Sequence, residues 1–197
     1  PGAQRKPFVV YSSRLDKEKN PFFMMKVAKE FLQQHPEWEW HVTTSGKEFR
    51  SMLPGVIDKL RLLAKEETRF KLLEGLTKEE YYTELATCSI QFNSALQDYV
   101  SWTVIEATTF GADIVYPEFR SFPEFIDNDR MYKPFDVLSA ITVLSDAIVY
   151  PRKHEQIGDI SDIGRQMEAY IVANNFNKEI NVWHETDYCL HLLTSEE

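Results

Sequence analysis

Residues 90–126, IQFNSALQDYVSWTVIEATTFGADIVYPEFRSFPEFI, constrain this chain more than any other stretch. Ile90 and Phe92 read as the end of a strand, and polar loop residues follow. Ser101 is placed to cap a helix in which residues 102–110 carry apolar side chains at helical spacing. Gly111 closes that helix. Residues 114–116 read as the next strand, and Pro123-Glu124 open another short helix. Strand, loop, helix, strand, loop and helix in this order predict a parallel α/β unit. In such a unit the helix start at Ser101, Trp102 and Thr103 faces the carboxyl edge of the sheet, where backbone N–H groups and the helix dipole receive an anion. Two acids flank that start: Asp98 in the loop and Glu106 one turn into the helix.

The remaining chain fits the same architecture. Residues 8–11 (FVVY) form a short continuous apolar run, as a buried parallel strand does. After the polar segment SSRLDKEKNP, Asn20 is expected to cap a helix with Pro21 at its first position and Phe22, Met25, Ala28, Phe31 and Leu32 on its apolar face. Residues 38–44 alternate as a second strand. A short helix is expected over residues 47–52, ended by Pro54-Gly55. Residues 56–64 have helical spacing, and residues 69–73 read as a third strand ended by Gly75. Thr77-Lys78-Glu79-Glu80 is a capping box for a helix to about Thr87, with Tyr81, Leu85 and Ala86 inward. Residues 135–149 are expected to form a further amphipathic helix, and residues 160–173 and 178–193 two closing helices. The expected fold class is α/β: a Rossmann-like, doubly wound parallel sheet with extra C-terminal helices. Residues 1–7 read as a linker, residues 8–150 as the main domain and residues 151–197 as a helical extension.

Composition narrows the function classes. The chain has 197 residues and a net charge of −9, which disfavours a nucleic-acid surface, since that needs a basic stripe. No apolar stretch approaches the ~20 residues of a membrane span, and no signal-peptide pattern is present. Cys88 and Cys189 are the two cysteines; they offer neither metal spacing nor a disulfide framework, which suits a reducing, cytoplasmic setting. Cys88 lacks a basic neighbour in sequence and reads as a small core residue. His154, His184 and His191 have no metal-ligand spacing and read as surface or packing residues.

The loop after the first strand carries Arg14 and Lys19. Glycine-rich phosphate fingerprints are missing there. Taken alone, the two cations read as solvated loop charge. Two motifs together change that reading. The segment D-Y-V-S-W-T-V-I-E-A, with Asp98 and Glu106 eight positions apart, then Gly111, a strand and Pro123-Glu124, resembles the Glu-x7-Glu signature of retaining nucleotide-sugar glycosyltransferases of the GT-B fold, family four. Arg14-Leu15 and Lys19 stand as in the G-R-L-x-x-x-K motif of the same family, with Ser13 at the glycine position. The resemblance covers about residues 8–147, and it implies the C-terminal, donor-binding half of a GT-B enzyme.

That resemblance implies a set of roles. Arg14 and Lys19 would grip the diphosphate, aided by the N–H groups of Ser101, Trp102 and Thr103. Glu106 would accept hydrogen bonds from two ribose hydroxyls, and Asp98 would face the donor sugar. Leu72 to Leu76, Leu76 above all, would lie near the base, although strand core explains each of these residues singly. Arg14, Lys19 and Asp98 are the residues that would serve catalysis. No metal or other cofactor is expected. The implied reaction is retaining sugar transfer, with the acceptor site in a missing N-terminal domain and no turnover by this half alone. Asp98 replaces the family's Glu, and Tyr99, Val100 and Ser101 replace Gly-Phe-Gly. That departure keeps open a degenerate nucleotide-binding or assembly module, and the fold alone leaves a UDP-sugar epimerase-like domain.

Overall fold

The computed structural model describes residues 5–44, 48–97, 101–124 and 126–152. The strands are β1 (Lys6–Tyr11), β2 (Glu39–Thr43), β3 (Phe70–Leu73), β4 (Cys88–Phe92), β5 (Asp113–Pro117) and β6 (Met131–Tyr132). The helices are α1 (Pro21–Gln34), α2 (Val56–Glu66), α3 (Lys78–Thr87), α4 (Trp102–Thr109) and α5 (Val137–Val149). All pairings are parallel, in the order β3-β2-β1-β4-β5-β6. This is a Rossmann-like α/β fold. Helices α1, α2 and α5 pack together on one face, and α3 and α4 pack together on the other. Both faces are therefore covered, which is why the central strands are apolar on both sides.

The core is thickest under α1. Trp40, Tyr11, Phe31, Phe92 and Tyr132 are fully buried there, with Trp40 set edge-on to Phe92 at 5.2 Å and Phe92 stacked on Tyr132 at 5.4 Å. Each such side chain contributes about 1.5–3 kcal/mol by burial. Cys88 lies at the start of β4, fully buried, and burial pushes its thiol up to about 12. It is a core residue and no nucleophile, as its sequence context implied.

Several expectations are corrected. β1 begins at Lys6, inside the segment read as linker, because Lys6 pairs with Cys88 at the start of β4. Arg5 adds to that start: its guanidinium donates to the carbonyl oxygens of Leu85 (3.0 Å), Cys88 (2.8 Å) and Phe110, the last turns of α3 and α4. Asn20 does not cap α1 with its side chain; it sits at φ 49° in the left-handed region, and its backbone carbonyl receives the first turn instead. No helix forms over residues 48–52. The polar groups of that segment are engaged elsewhere: Phe49 N–H with Glu74 (3.0 Å), Ser51 Oγ with the Leu15 carbonyl (2.5 Å) and Met52 N–H with Asp16 (3.0 Å). Tyr82 is buried in α3 as well as Leu85, Tyr81 is half-buried with its hydroxyl turned inward to Glu106, and the predicted capping box at Thr77 and Glu80 is present. β6 was not expected; two residues give no periodicity to read. Pro123-Glu124 form a single turn of 3-10 helix with Phe122. The expected closing helices, Cys189, His154, His184 and His191 lie outside the described residues. Among those described, no helix is long and apolar enough to cross a membrane.

Candidate functional site

The strand order reverses between β1 and β4. Their following loops leave in opposite directions, and a crevice opens at the carboxyl ends. One wall is Ser12, Ser13 and the short 3-10 helix Lys17–Lys19; the other is Asn93 to Ala95 and the start of α4. The two walls are tied together. Tyr11 Oη and Ser94 Oγ both donate to the Lys19 carbonyl, at 3.1 and 2.7 Å, and Leu96 N–H donates to the Glu18 carbonyl at 2.7 Å. Lys19 is thereby fixed by its backbone in that wall, half-buried.

The helix start is built from hydroxyls. Ser101 is 2% exposed, in extended backbone, and its side chain does not cap α4 as expected. Its Oγ lies 2.8 Å from Thr103 Oγ1, which lies 2.8 Å from Tyr116 Oη at the end of β5. Asn93 Nδ2 donates to the same Thr103 oxygen at 3.3 Å. The N–H groups of Val104 and Ile105 turn back to the Ser101 carbonyl. Those of Trp102 and Thr103 meet no acceptor among the described residues.

Glu106 lies one turn further on, facing α3. Tyr81 Oη donates to its Oε2 at 2.7 Å. Ser12 Oγ stands 3.3 Å from the same phenolic oxygen. A phenol has one proton, and the shorter contact to the carboxylate takes it, so Ser12 is the donor in the longer one. Burial pushes the Glu106 carboxyl up to about 7; the Tyr81 hydrogen bond and the Lys78 charge limit the rise. Burial also raises the Tyr81 hydroxyl well above its usual range, helped by the Glu106 charge, so the phenol stays protonated.

Arg14 stands on the rim. Its side chain is 72% exposed, with Glu18 at 2.9 Å and Asp16 at 3.7 Å. It also lines a cleft of about 410 Å³ between the loops after β1 and β2, with Ser13, Thr44 and Arg50. Leu76 follows β3, half-buried, with its N–H on the Thr44 carbonyl at 3.2 Å. The structure therefore brings Lys19, Ser101, Thr103 and Glu106 to one crevice with Arg14 at its edge. Leu76 sits directly before the helix that carries Tyr81, and Trp102 is half-buried beside Ser101. Asp98, with Tyr99 and Val100, lies outside the described residues. Sequence reasoning missed Ser12, Asn93, Tyr81 and Tyr116. Nothing in the α3 pattern separates Tyr81, which reaches a carboxylate, from Tyr82, which packs on Phe110.

This crevice belongs to a known fold. The structure matches the catalytic domain of cholesterol-α-glucosyltransferase from Helicobacter pylori, with a TM-score of 0.56 at 13% identity, over 85% of this chain and 97% of that one. It matches an α,α-trehalose-phosphate synthase (UDP-forming) from Burkholderia vietnamiensis at a TM-score of 0.65 and 14% identity, over 96% of this chain and 43% of that one. The pneumococcal O-GlcNAc transferase GtfA, in complex with UDP and GlcNAc, gives a TM-score of 0.64 at 12% identity, over 95% of this chain and 36% of that one. The chain thus spans less than half the length of the two larger proteins. No family model and no curated protein matches it. At these identities the likeness establishes the fold: the Rossmann-like fold present in GT-B glycosyltransferases.

Proposed function

We propose that this domain binds the nucleoside diphosphate of a sugar donor and serves as the donor half of a retaining glycosyltransferase. The observation that carries the reading is the pairing, in one crevice, of an open helix start at Trp102 and Thr103 with a carboxylate one turn later. Those two groups meet the two ends of a ribose diphosphate. Ionised Glu106 accepts hydrogen bonds from ribose hydroxyls. The α4 N–H groups, Lys19 and Arg14 receive the diphosphate, with Arg14 offering a planar fork and Lys19 a point charge. Leu76 would lie near the base.

The chemical demand is a leaving group that gains negative charge as the anomeric carbon–oxygen bond breaks. Positive groups aimed at that charge lower the barrier, and about 1.4 kcal/mol is worth tenfold in rate. Arg14, Lys19 and the helix start supply it without a metal in this reading. Asp98 would face the sugar. A partner N-terminal domain would supply the acceptor site, so this chain alone binds donor and transfers nothing. The cytoplasmic setting and the absence of a nucleic-acid partner rest on the cysteine pattern and the acidic balance.

A nucleotide-binding module without transfer is the second reading. Asp98-Tyr99-Val100-Ser101 in place of Glu-Gly-Phe-Gly favours it, because the glycines that let a sugar approach the backbone are gone. Thermal unfolding with millimolar UDP, GDP, ADP and their sugar conjugates tests the proposal. A rise in Tm with one nucleotide supports a donor site. A further rise with its sugar conjugate favours the transferase half over the module, and no rise with any of them rejects both.

A further inference from the structure

We propose that Tyr81 is a positioning residue of the ribose subsite, holding Oε2 of Glu106 so that Oε1 is the oxygen presented to the ribose hydroxyls. This rests on the nucleotide-binding reading of the crevice. The geometry is a three-part chain: Ser12 to the Tyr81 phenol at 3.3 Å, and the phenol to Glu106 at 2.7 Å. It links the β1 loop, α3 and α4. Among the described residues, Tyr81 is the sole hydrogen-bond donor to the Glu106 carboxylate. One oxygen is therefore committed to the fold and the other is left for a ligand.

An unanchored glutamate on a helix has three rotatable bonds. Fixing one oxygen removes that freedom before a ligand arrives, which is how a binding group is preorganised. The phenol also favours the ionised carboxylate, and ribose hydroxyls need that form as their acceptor. Among the described residues, Lys78 and Tyr81 from α3 act on the Glu106 carboxyl, and Ser12 from the β1 loop and Tyr116 from β5 act on the Tyr81 hydroxyl. Of these, Tyr81 alone makes the hydrogen bond that fixes the side chain.

Two readouts test the proposal. The first needs no ligand: the Glu106 carboxyl is followed by infrared or carbon-13 titration in the wild type, Tyr81→Phe and Tyr82→Phe. Loss of the phenol raises the midpoint in Tyr81→Phe and leaves it unmoved in Tyr82→Phe. An unchanged midpoint in Tyr81→Phe overturns the proposal. The second compares UDP with its 2′,3′-dideoxy analogue, or the corresponding pair for whichever base binds. Tyr81→Phe weakens the ribonucleotide about tenfold, the scale of one charge-assisted hydrogen bond, and barely moves the dideoxy form. Equal weakening of both makes Tyr81 a merely structural residue and overturns the proposal. If the folded wild type binds no nucleotide, the ribose role falls together with the donor reading. If it binds and only Tyr81→Phe fails to discriminate as described, the donor reading stands and the proposal falls.

Discussion

The two ends of the sheet use charge in opposite ways. At the amino end, guanidinium groups are absorbed by the fold. Arg130, 3% exposed, holds Asp113 at 3.0 Å and donates to the Tyr150 carbonyl at 2.6 Å. Arg5 closes the last turns of α3 and α4, where a cation also meets the negative end of each helix dipole. Arg69 grips Glu67 at 2.7 Å. Carboxylates there are pulled below their usual range: Glu39 by Lys71 and His41, Glu67 by Arg69. At the carboxyl end the pattern inverts. Arg14 is mostly exposed, two backbone N–H groups of α4 have no acceptor among the described residues, and Glu106 is pushed up to about 7. The amino end satisfies its charges internally. The carboxyl end keeps Arg14 at the surface and, among the described residues, two α4 N–H groups without an acceptor, which suits a ligand.

The largest effect is expected at the buried ion pair of the amino end. Arg130→Ala leaves Asp113 buried without its partner and is expected to cost about 3–5 kcal/mol in urea unfolding. A loss near zero would show that the amino end is not what holds the sheet edge together. Glu106→Gln sharpens the other side. Burial pushes the folded carboxyl up to about 7 from an ordinary value near 4.5, so the folded state holds its proton longer. Its stabilising contribution is complete below about pH 4.5 and is lost as pH rises through 7, on the order of 3 kcal/mol. Glu106→Gln keeps the neutral form, so it gains stability relative to the wild type by up to that amount between pH 4.5 and 8. A pH-independent difference would mean that Glu106 is not desolvated.

Arg5→Ala removes three carbonyl contacts and is expected to cost about 2–3 kcal/mol, with no selective effect on nucleotide binding. Arg14→Ala gives the smallest change in stability, within about 0.5 kcal/mol, because its ion pairs are exposed. Its effect belongs to binding: about tenfold or more in affinity for a diphosphate. Destabilisation by Arg14→Ala of the size seen for Arg5→Ala would erase the contrast between the two ends.

The legible part of this molecule is its periodicity. Strands β1 to β5 and helices α1 to α5 follow from apolar runs, the Thr77 capping box, Pro21 and Gly111. The position of Glu106 one turn after Ser101 follows too. What stays hidden is pairing across distance. Lys6 is polar and reads as linker until Cys88 is beside it. Tyr81 and Glu106 are 25 positions apart, and only the packing of α3 on α4 brings the phenol to the carboxylate. Ser101 fits the residue preference for a cap, yet Thr103 and Tyr116 compete for its hydroxyl and win. Residues 48–52 have helical composition, but their donors are satisfied by Leu15, Asp16 and Glu74, side chains and backbone that no local pattern reveals.

Calorimetric titration of the chain with UDP, GDP and ADP, at pH 8 where Glu106 is ionised, tests the central claim most directly when run beside Arg14→Ala and Glu106→Gln. One nucleoside diphosphate is expected to bind, both variants to bind it about tenfold more weakly, and wild-type affinity to fall as pH drops below 7. Folded wild type that binds none of the three, or binds one with an affinity indifferent to both substitutions, would contradict it.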